Sequence, residues 1–332
     1  MKNLIGCSLF FATSFLLHLL ANRGLRDLLD AAAATDPVGD SLCSRRSTLR
    51  GPRQRIVSFG LFGDFGNPRA KGPYEKLLFK IPASVKMWYP GWAVRIYTNY
   101  STADKDITAW MDAIEDRYPF VDFCHVASLP GLSGDIQRNQ SNGRVWRFLP
   151  MMDPLVDVFV SRDTDSPVTV REASAVKEWL ESKYLFHAMK DHPAHEGPVF
   201  AGLWGAKVSQ NRSFVGYLGR KMIFESGRSN DNGFDQELLK SVLWPEAEQD
   251  FVSLPSRSPP HERLESLTDS SCALQLVHAS FHCDKFVGGE TRAFPTRRRH
   301  GFWLGSGTRH PPISTTCPLE CRPKEHPDWT TC

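Results

Sequence analysis

Apolar and polar positions fall into two alternating kinds of segment. Val156–Ser161 is a short run with Val156, Val158, Phe159 and Val160, and it stops at Arg162. A bounded β-branched run of this length predicts a buried strand. Similar runs predict strands at Arg55–Phe62, Trp92–Tyr97, Val121–Val126 and Val199–Trp204. Between them apolar residues recur at helical spacing, as in Asp104–Arg117, with Ile107, Trp110, Met111 and Ile114, and in Arg171–Ser182, with Ala175, Val176, Trp179 and Leu180. Further helices are predicted at Tyr74–Met87, interrupted by Pro82, at Arg144–Leu155, broken by Pro150 and Pro154, and at Phe214–Ile223 and Phe234–Val242. Beyond Pro255 the pattern becomes irregular. Strands alternating with helices of these lengths imply an α/β domain with a mostly parallel central sheet flanked by helices.

The ends of the chain read differently. Leu4–Ala21 is apolar apart from Ser, Thr and His18, the lower limit for a membrane-spanning helix and long for the core of a cleaved leader. Residues 1–21 are therefore a signal-anchor or a signal peptide, and both send the rest of the chain into the secretory lumen. Residues 22–53, with an alanine run and then Pro, Gly, Ser and Arg, read as a stem. Residues 54–305 form the folded domain, and residues 306–332 a Cys- and Pro-rich tail.

Composition sharpens this. With 332 residues, 41% of them hydrophobic, the chain can bury a sizeable core. The net charge of +3 is concentrated at Arg297–Arg299, too narrow a basic face for a nucleic-acid partner. Sequons at Asn99, Asn139 and Asn211, and eight Cys without zinc spacing, fit a glycosylated, disulfide-bonded lumenal protein. Seven of those Cys lie outside the apolar run, so one thiol stays free or pairs between molecules.

Candidate chemistry starts at Asp163-Thr164-Asp165, two hard oxygen donors at the end of a strand, where open α/β sheets bind ligands. They suit Mg²⁺ or Mn²⁺ with positions left for phosphate and water. A solvated loop and a phosphatase nucleophile are the competing readings. P-loop and dinucleotide-binding glycine patterns are absent. Arg162 could meet a phosphate or form a strand-end ion pair. Arg144 and Arg147 lie close together on a helix, as surface or ion-pair residues would. Asp235-Gln236 opens a helix, where an Asp serves as cap or as site residue. Gly202-Leu203-Trp204-Gly205 suits a close backbone approach, with Trp204 under a sugar or in the core. The spacing of Asp191, His192 and His195 fits no zinc pattern.

Arg144–Pro150, Ser161–Ser166, Arg171–Trp179, Met189–His195, Gly202–Gly205, Gly233–Leu239 and Phe294–Arg298 together resemble, in order and spacing, animal proteins with a GT-A-type glycosyltransferase domain. The likeness runs from about Ile56 to Gly305, and extends more loosely to mannosyltransferase-like and capsular-polysaccharide sugar transferases. It implies a GT-A-like fold and a metal-dependent glycosyltransferase of the Golgi or ER membrane. Such an enzyme moves a sugar from a nucleotide-sugar donor to a glycan or glycoconjugate acceptor. Asp163 and Asp165 would hold the Mn²⁺ (or Mg²⁺), with Asp163, Arg144, Arg147, Arg162 and Trp204 on the donor. His278 would be the third metal ligand, in a segment expected to read HDS-aromatic; Ala279 departs from it. Asp235 and Gln236 would stand by the acceptor. A catalytically silent lumenal or secreted binding protein with the same fold is the alternative.

Overall fold

The computed structural model describes residues 39–63, 80–132, 136, 143–225, 229, 231–248, 275–281, 283, 290–299, 302–305 and 313–331. The apolar Leu4–Ala21 segment, Asn139, Cys272 and His282 lie outside them. Among the described residues no helix is long and apolar enough to cross a membrane.

A single mixed sheet of eight strands carries the domain: β1 (Gln54–Leu61), β2 (Ala93–Thr98), β3 (Val121–His125), β4 (Val156–Ser161), β5 (Phe186–Lys190), β6 (Trp204–Ala206), β7 (Gln275–Ala279) and β8 (Glu290–Arg292). Their spatial order is β3-β2-β1-β4-β6-β5-β7-β8. All neighbours pair in parallel except β6, which runs antiparallel to both β4 and β5. β2, β5, β6 and β7 are buried along their whole length, as expected of strands covered on both faces.

After the short helix α1 (Arg45–Leu49), one apolar layer packs β1, β2 and α2 (residues 80–88) with α3 (Lys105–Arg117) and α4 (Val170–Glu181). The opposite layer packs Gly143–Met152, α5 (Arg212–Arg220) and α6 (Phe234–Leu238) on Phe159, Phe186 and Trp204. Capping sets the ends of α3 and α4. Asp104 accepts from the amides of Asp106 and Ile107, and Thr169 from Glu172. Gly143–Met152 is a 3₁₀ helix, tighter than the α-helix its sequence predicts, and contains Pro150. α5 continues as a π-turn, Lys221–Glu225.

Three boundaries differ from the sequence reading. Residues 40–53 are part of the domain. Cys43 is disulfide-bonded to Cys124 at the core, Ser41 and the Leu42 amide donate to buried Asp153, and Ser47 and Arg50 donate to buried Asp122. The strand expected at Val199–Trp204 begins at Trp204, and β5, β7 and β8 arise where no strand is read. The C-terminal segment folds back: Cys283 is disulfide-bonded to Cys321, Cys317 is disulfide-bonded as well, and Arg298 and Cys317 donate backbone bonds to Thr331 and Thr330.

Candidate functional site

The parallel half of the sheet ends its strands on one side, and there β4 delivers Asp163. Its side chain is 46% exposed. It lines a cleft of about 280 Å³ with Arg147, His195, Phe200, Ala201, Gly202, Leu203, Gly233, Asp235, Gln236 and Gly305. Asp165 is half-buried in the turn that follows and accepts from the Ser166 hydroxyl at 3.2 Å.

Arg147 organises the cleft. One end of its guanidinium donates to Asp163 Oδ1 at 2.5 Å and the other to Asp235 Oδ2 at 2.5 Å. It also donates to the carbonyl of Arg162 at 3.1 Å. Burial alone would lower its pKa, but the two carboxylates more than offset this and hold it above its ordinary value. Asp163 and Asp235, 72 positions apart in sequence, are thus joined by one cation. Gly233 takes a left-handed φ of 86° and starts α6, which sets Asp235 in its first turn. Arg144 donates to Asn232 in the same turn.

Gln236 is spent on the backbone. Its Oε1 accepts from the Ala201 amide at 3.0 Å and its Nε2 donates to the Val199 carbonyl. It therefore clips the 199–202 turn against the cleft. In that turn Gly202 meets Asp163 directly: a Cβ there would lie 2.0 Å from Asp163 Oδ2. The close approach predicted at Gly202 is real, and its partner is the carboxylate. A Cβ at Gly205 would lie 2.5 Å from the Phe159 carbonyl oxygen.

Other expected site residues lie elsewhere. Arg162 is fully buried, donating to Glu172 at 2.6 Å and to the carbonyls of Ser161 and Trp204. Tyr89 joins the same Glu172. Arg162 is thus the strand-end ion pair and has left the cleft, because its side chain points to the α4 layer. Trp204 is core, edge-on to Phe148 and Phe159 at 5.3 and 5.1 Å. His278 is fully buried on the α4 face of β7. Its Nε2 lies 3.1 Å from Glu178 and its Nδ1 lies 2.8 Å from His187. A carboxylate accepts, so His278 carries its hydrogen on Nε2 and takes a second from His187. Both imidazoles are pushed down by burial. The pairing of His278 with Asp163 and Asp165 is therefore not assembled.

Among the described residues, no group of three or more His, Cys, Asp or Glu forms a metal set. Asp163 and Asp165 still fit a divalent ion that takes its remaining ligands from water and phosphate, since their donors are hard carboxylate oxygens and Asp163 opens to the cleft. They do not fit a closed protein cage.

His195 belongs to the segment whose spacing fits no zinc pattern, and the buried centre that positions it is not legible in the sequence. Buried Asp191 accepts from Arg171, Ser280, Arg298 and the Leu304 amide. This makes Arg298 structural, not part of a solvated basic run. The Asp191 amide in turn donates to His195 Nδ1 at 3.1 Å, which leaves the hydrogen on Nε2. Burial pushes His195 down to about 4, so it is neutral near pH 7. His195, Phe200, His192 and Trp303 form an aromatic wall at the cleft, with rings 4.3 to 5.6 Å apart. The sequence shows an Asp followed by two His and by Phe200, but the strand that ends just before Asp191 is not read from the pattern.

No family model matches the chain, and no curated protein matches it. Several solved structures are similar. 4-Diphosphocytidyl-2C-methyl-D-erythritol synthase from Anaerococcus prevotii matches at 9% identity and TM-score 0.36, over 56% of this chain and 83% of that one. Mannosyltransferase PcManGT from Pyrobaculum calidifontis, in complex with GDP-Man and Mn²⁺, matches at 14% and 0.31, over 69% and 59%. The apo WbbM bifunctional glycosyltransferase matches at 13% and 0.33, over 58% and 37%. The match therefore spans less than two thirds of the length of the last two. At these identities and scores the likeness fixes neither the activity nor the ligand of this chain.

Proposed function

We propose that the protein is a metal-dependent glycosyltransferase of GT-A-like fold, using a nucleotide-sugar donor. The observation that carries this is the cleft at the carboxyl end of β4, where the DxD carboxylate Asp163 and the helix-start carboxylate Asp235 share the Arg147 guanidinium. Strand-end carboxylates facing a cleft at this edge of an α/β sheet suit a diphosphate ligand held through a divalent ion. A Mn²⁺ or Mg²⁺ on Asp163 and Asp165 would template the diphosphate and neutralise the leaving nucleotide. Arg147 holds Asp163 and Asp235 at fixed spacing, Gly202 leaves room at Asp163 Oδ2, and Gln236 fixes the turn that carries Gly202. In this reading Gln236 is a positioning residue, and Asp235 orients Arg147 beside the acceptor. Neutral His195 offers an Nε2–H donor from the cleft wall.

The same proposal puts the domain in the secretory lumen, anchored through Leu4–Ala21, acting on a glycan or glycoconjugate. The disulfides Cys43–Cys124 and Cys283–Cys321 and the part-exposed sequon residues Asn99 and Asn211 support that compartment. A catalytically silent binding protein is the second reading. It is favoured by the saturation of Asp163 Oδ1 and Asp235 Oδ2 by Arg147.

Release of nucleoside diphosphate from UDP- and GDP-sugars, measured with and without Mn²⁺, tests the enzyme. Mn²⁺-dependent turnover is expected, falling by about 100-fold or more in Asp163→Asn and Asp165→Ala, as for loss of a group that holds charge in the transition state. No turnover together with a nucleotide-dependent thermal shift supports the silent reading. No turnover and no shift overturns both.

A further inference from the structure

A second concave surface lies at the opposite end of the sheet. It is a groove of about 800 Å³ at the amino ends of β1 and β2, lined by residues that include Gln54 and Ala93. Because β1 and β4 are parallel, this edge is the reverse of the one where Asp163 emerges. The donor cleft and this groove therefore share no residue.

Its charge is one-sided. Arg50, Arg53, Arg55, Lys86 and Arg117 line it, and among the described residues no carboxylate does. Arg50 is already committed to buried Asp122, at 2.8 and 3.0 Å. Arg117 lies 5.6 Å from the Tyr118 ring centroid. Arg53, Arg55 and Lys86 are exposed, and among the described residues their side chains have no hydrogen-bonding or ion-pair partner. Arg53 also takes a φ of 65°, uncommon for a residue with a side chain. Like charges held together without counter-charge repel, and an anion relieves the repulsion. Between the cations the floor is apolar: exposed Pro52 and Pro90 and part-exposed Phe120, backed by buried Trp92 and Tyr89, whose rings pack at 4.8 Å.

We propose that this groove binds a sulfated glycan, whose sulfate ester oxyanions meet Arg53, Arg55 and Lys86 while its sugar rings lie on the apolar floor. The planar guanidinium of arginine can donate two parallel bonds to two oxygens of a sulfate or phosphate ester, and aromatic and proline faces accept the C–H faces of pyranoses. The concave shape favours a chain that can lie in it over a flat anionic lipid surface. Nothing in this inference depends on the donor cleft or on sugar transfer.

The test is titration of the full-length chain with a heparin hexasaccharide at low salt, beside the chemically desulfated hexasaccharide and phosphatidylserine–phosphatidylcholine vesicles. The sulfated hexasaccharide is expected to bind, more weakly as salt rises, and the desulfated one to bind far less. The triple variant Arg53→Gln, Arg55→Gln, Lys86→Gln is expected to bind about 10-fold more weakly or worse, with a shallower salt dependence. Its Tm should match that of the parent, because all three side chains are exposed. Equal binding by parent and variant, equal binding of the desulfated probe, no binding of the hexasaccharide, or binding of the vesicles alone would each overturn the proposal.

Discussion

At the scale of single residues, two side chains decide whether the cleft exists. Arg147 is buried between two carboxylates, so its removal leaves Asp163 and Asp235 facing each other with no cation. Breaking a buried ion pair from one side costs about 3 kcal/mol or more. Arg147→Met is expected to lose about that much stability in urea unfolding, and Asp235→Asn in the same chain should restore part of it. If the double variant is no more stable than Arg147→Met alone, the Arg147–Asp235 bond is not the stabilising contact described. Gly202→Ala acts by shape. Its new Cβ would lie 2.0 Å from Asp163 Oδ2, so the carboxylate must swing away. Mn²⁺-dependent nucleotide binding should fall by about 10-fold, as for a displaced charge-bearing ligand, while Tm changes little. Unchanged binding would show that Asp163 reaches the ligand from another rotamer. Asp163 and Gly202 were both legible in sequence as a strand-end acid and a glycine before a Trp. That they touch was not, because the turn joining them is shaped by Gln236, far along the chain.

Individual elements show where pattern reading holds and where it fails. β1 to β4, α3 and α4 lie within a few residues of their predicted limits, since their apolar periods are strong and caps such as Asp104 stand in the sequence. β5, Phe186-His187-Ala188-Met189-Lys190, has no β-branched residue and two polar ones. It is buried along its length because the His pair and parallel β7 satisfy what the pattern counts against it. Residues 40–53 read as a stem because they are short, polar and Arg-rich. Their polarity is aimed inward, at buried Asp122 and Asp153, and the covalent tie is Cys43–Cys124. That disulfide spans 81 residues. Chain-entropy arguments give about 4 kcal/mol for a loop of this size. Cys43→Ser with Cys124→Ser is therefore expected to lose up to that amount in denaturant unfolding. A loss below about 1 kcal/mol would show that the hydrogen bonds to Asp122 and Asp153 hold residues 40–53 without the covalent tie.

For the whole molecule, sequence order gives the sheet class and one carboxylate of the cleft, but not which face each strand residue takes in three dimensions. The resemblance pairs His278 with the DxD carboxylates. His278 lies one position from Val277 and Ala279, which face the opposite layer, and this parity sends it to Glu178 and His187. The same placement predicts how the protein responds to acid. His187, His195 and His278 are all held neutral by burial. His187 faces His278, Arg162 and Lys207; His195 faces His192, Asp191, Lys190 and Arg298; His278 faces Glu178, Arg292 and Arg171. As pH falls below 6.5 the unfolded chain takes up protons at these positions that the folded chain refuses, so stability falls with them. For His195, with a folded value of about 4 against 6.5, the loss at pH 5 is about 2 kcal/mol. Glu178 is held at about 2 by its hydrogen bond to His278, so its contribution stays in place through this window and is lost only below it. Tm should therefore fall between pH 7 and pH 5, before most carboxylates protonate, and His195→Gln should flatten that part of the profile. A profile that stays level from pH 7 to pH 5, or one that His195→Gln leaves unaltered, would mean the imidazoles can take up protons where they lie.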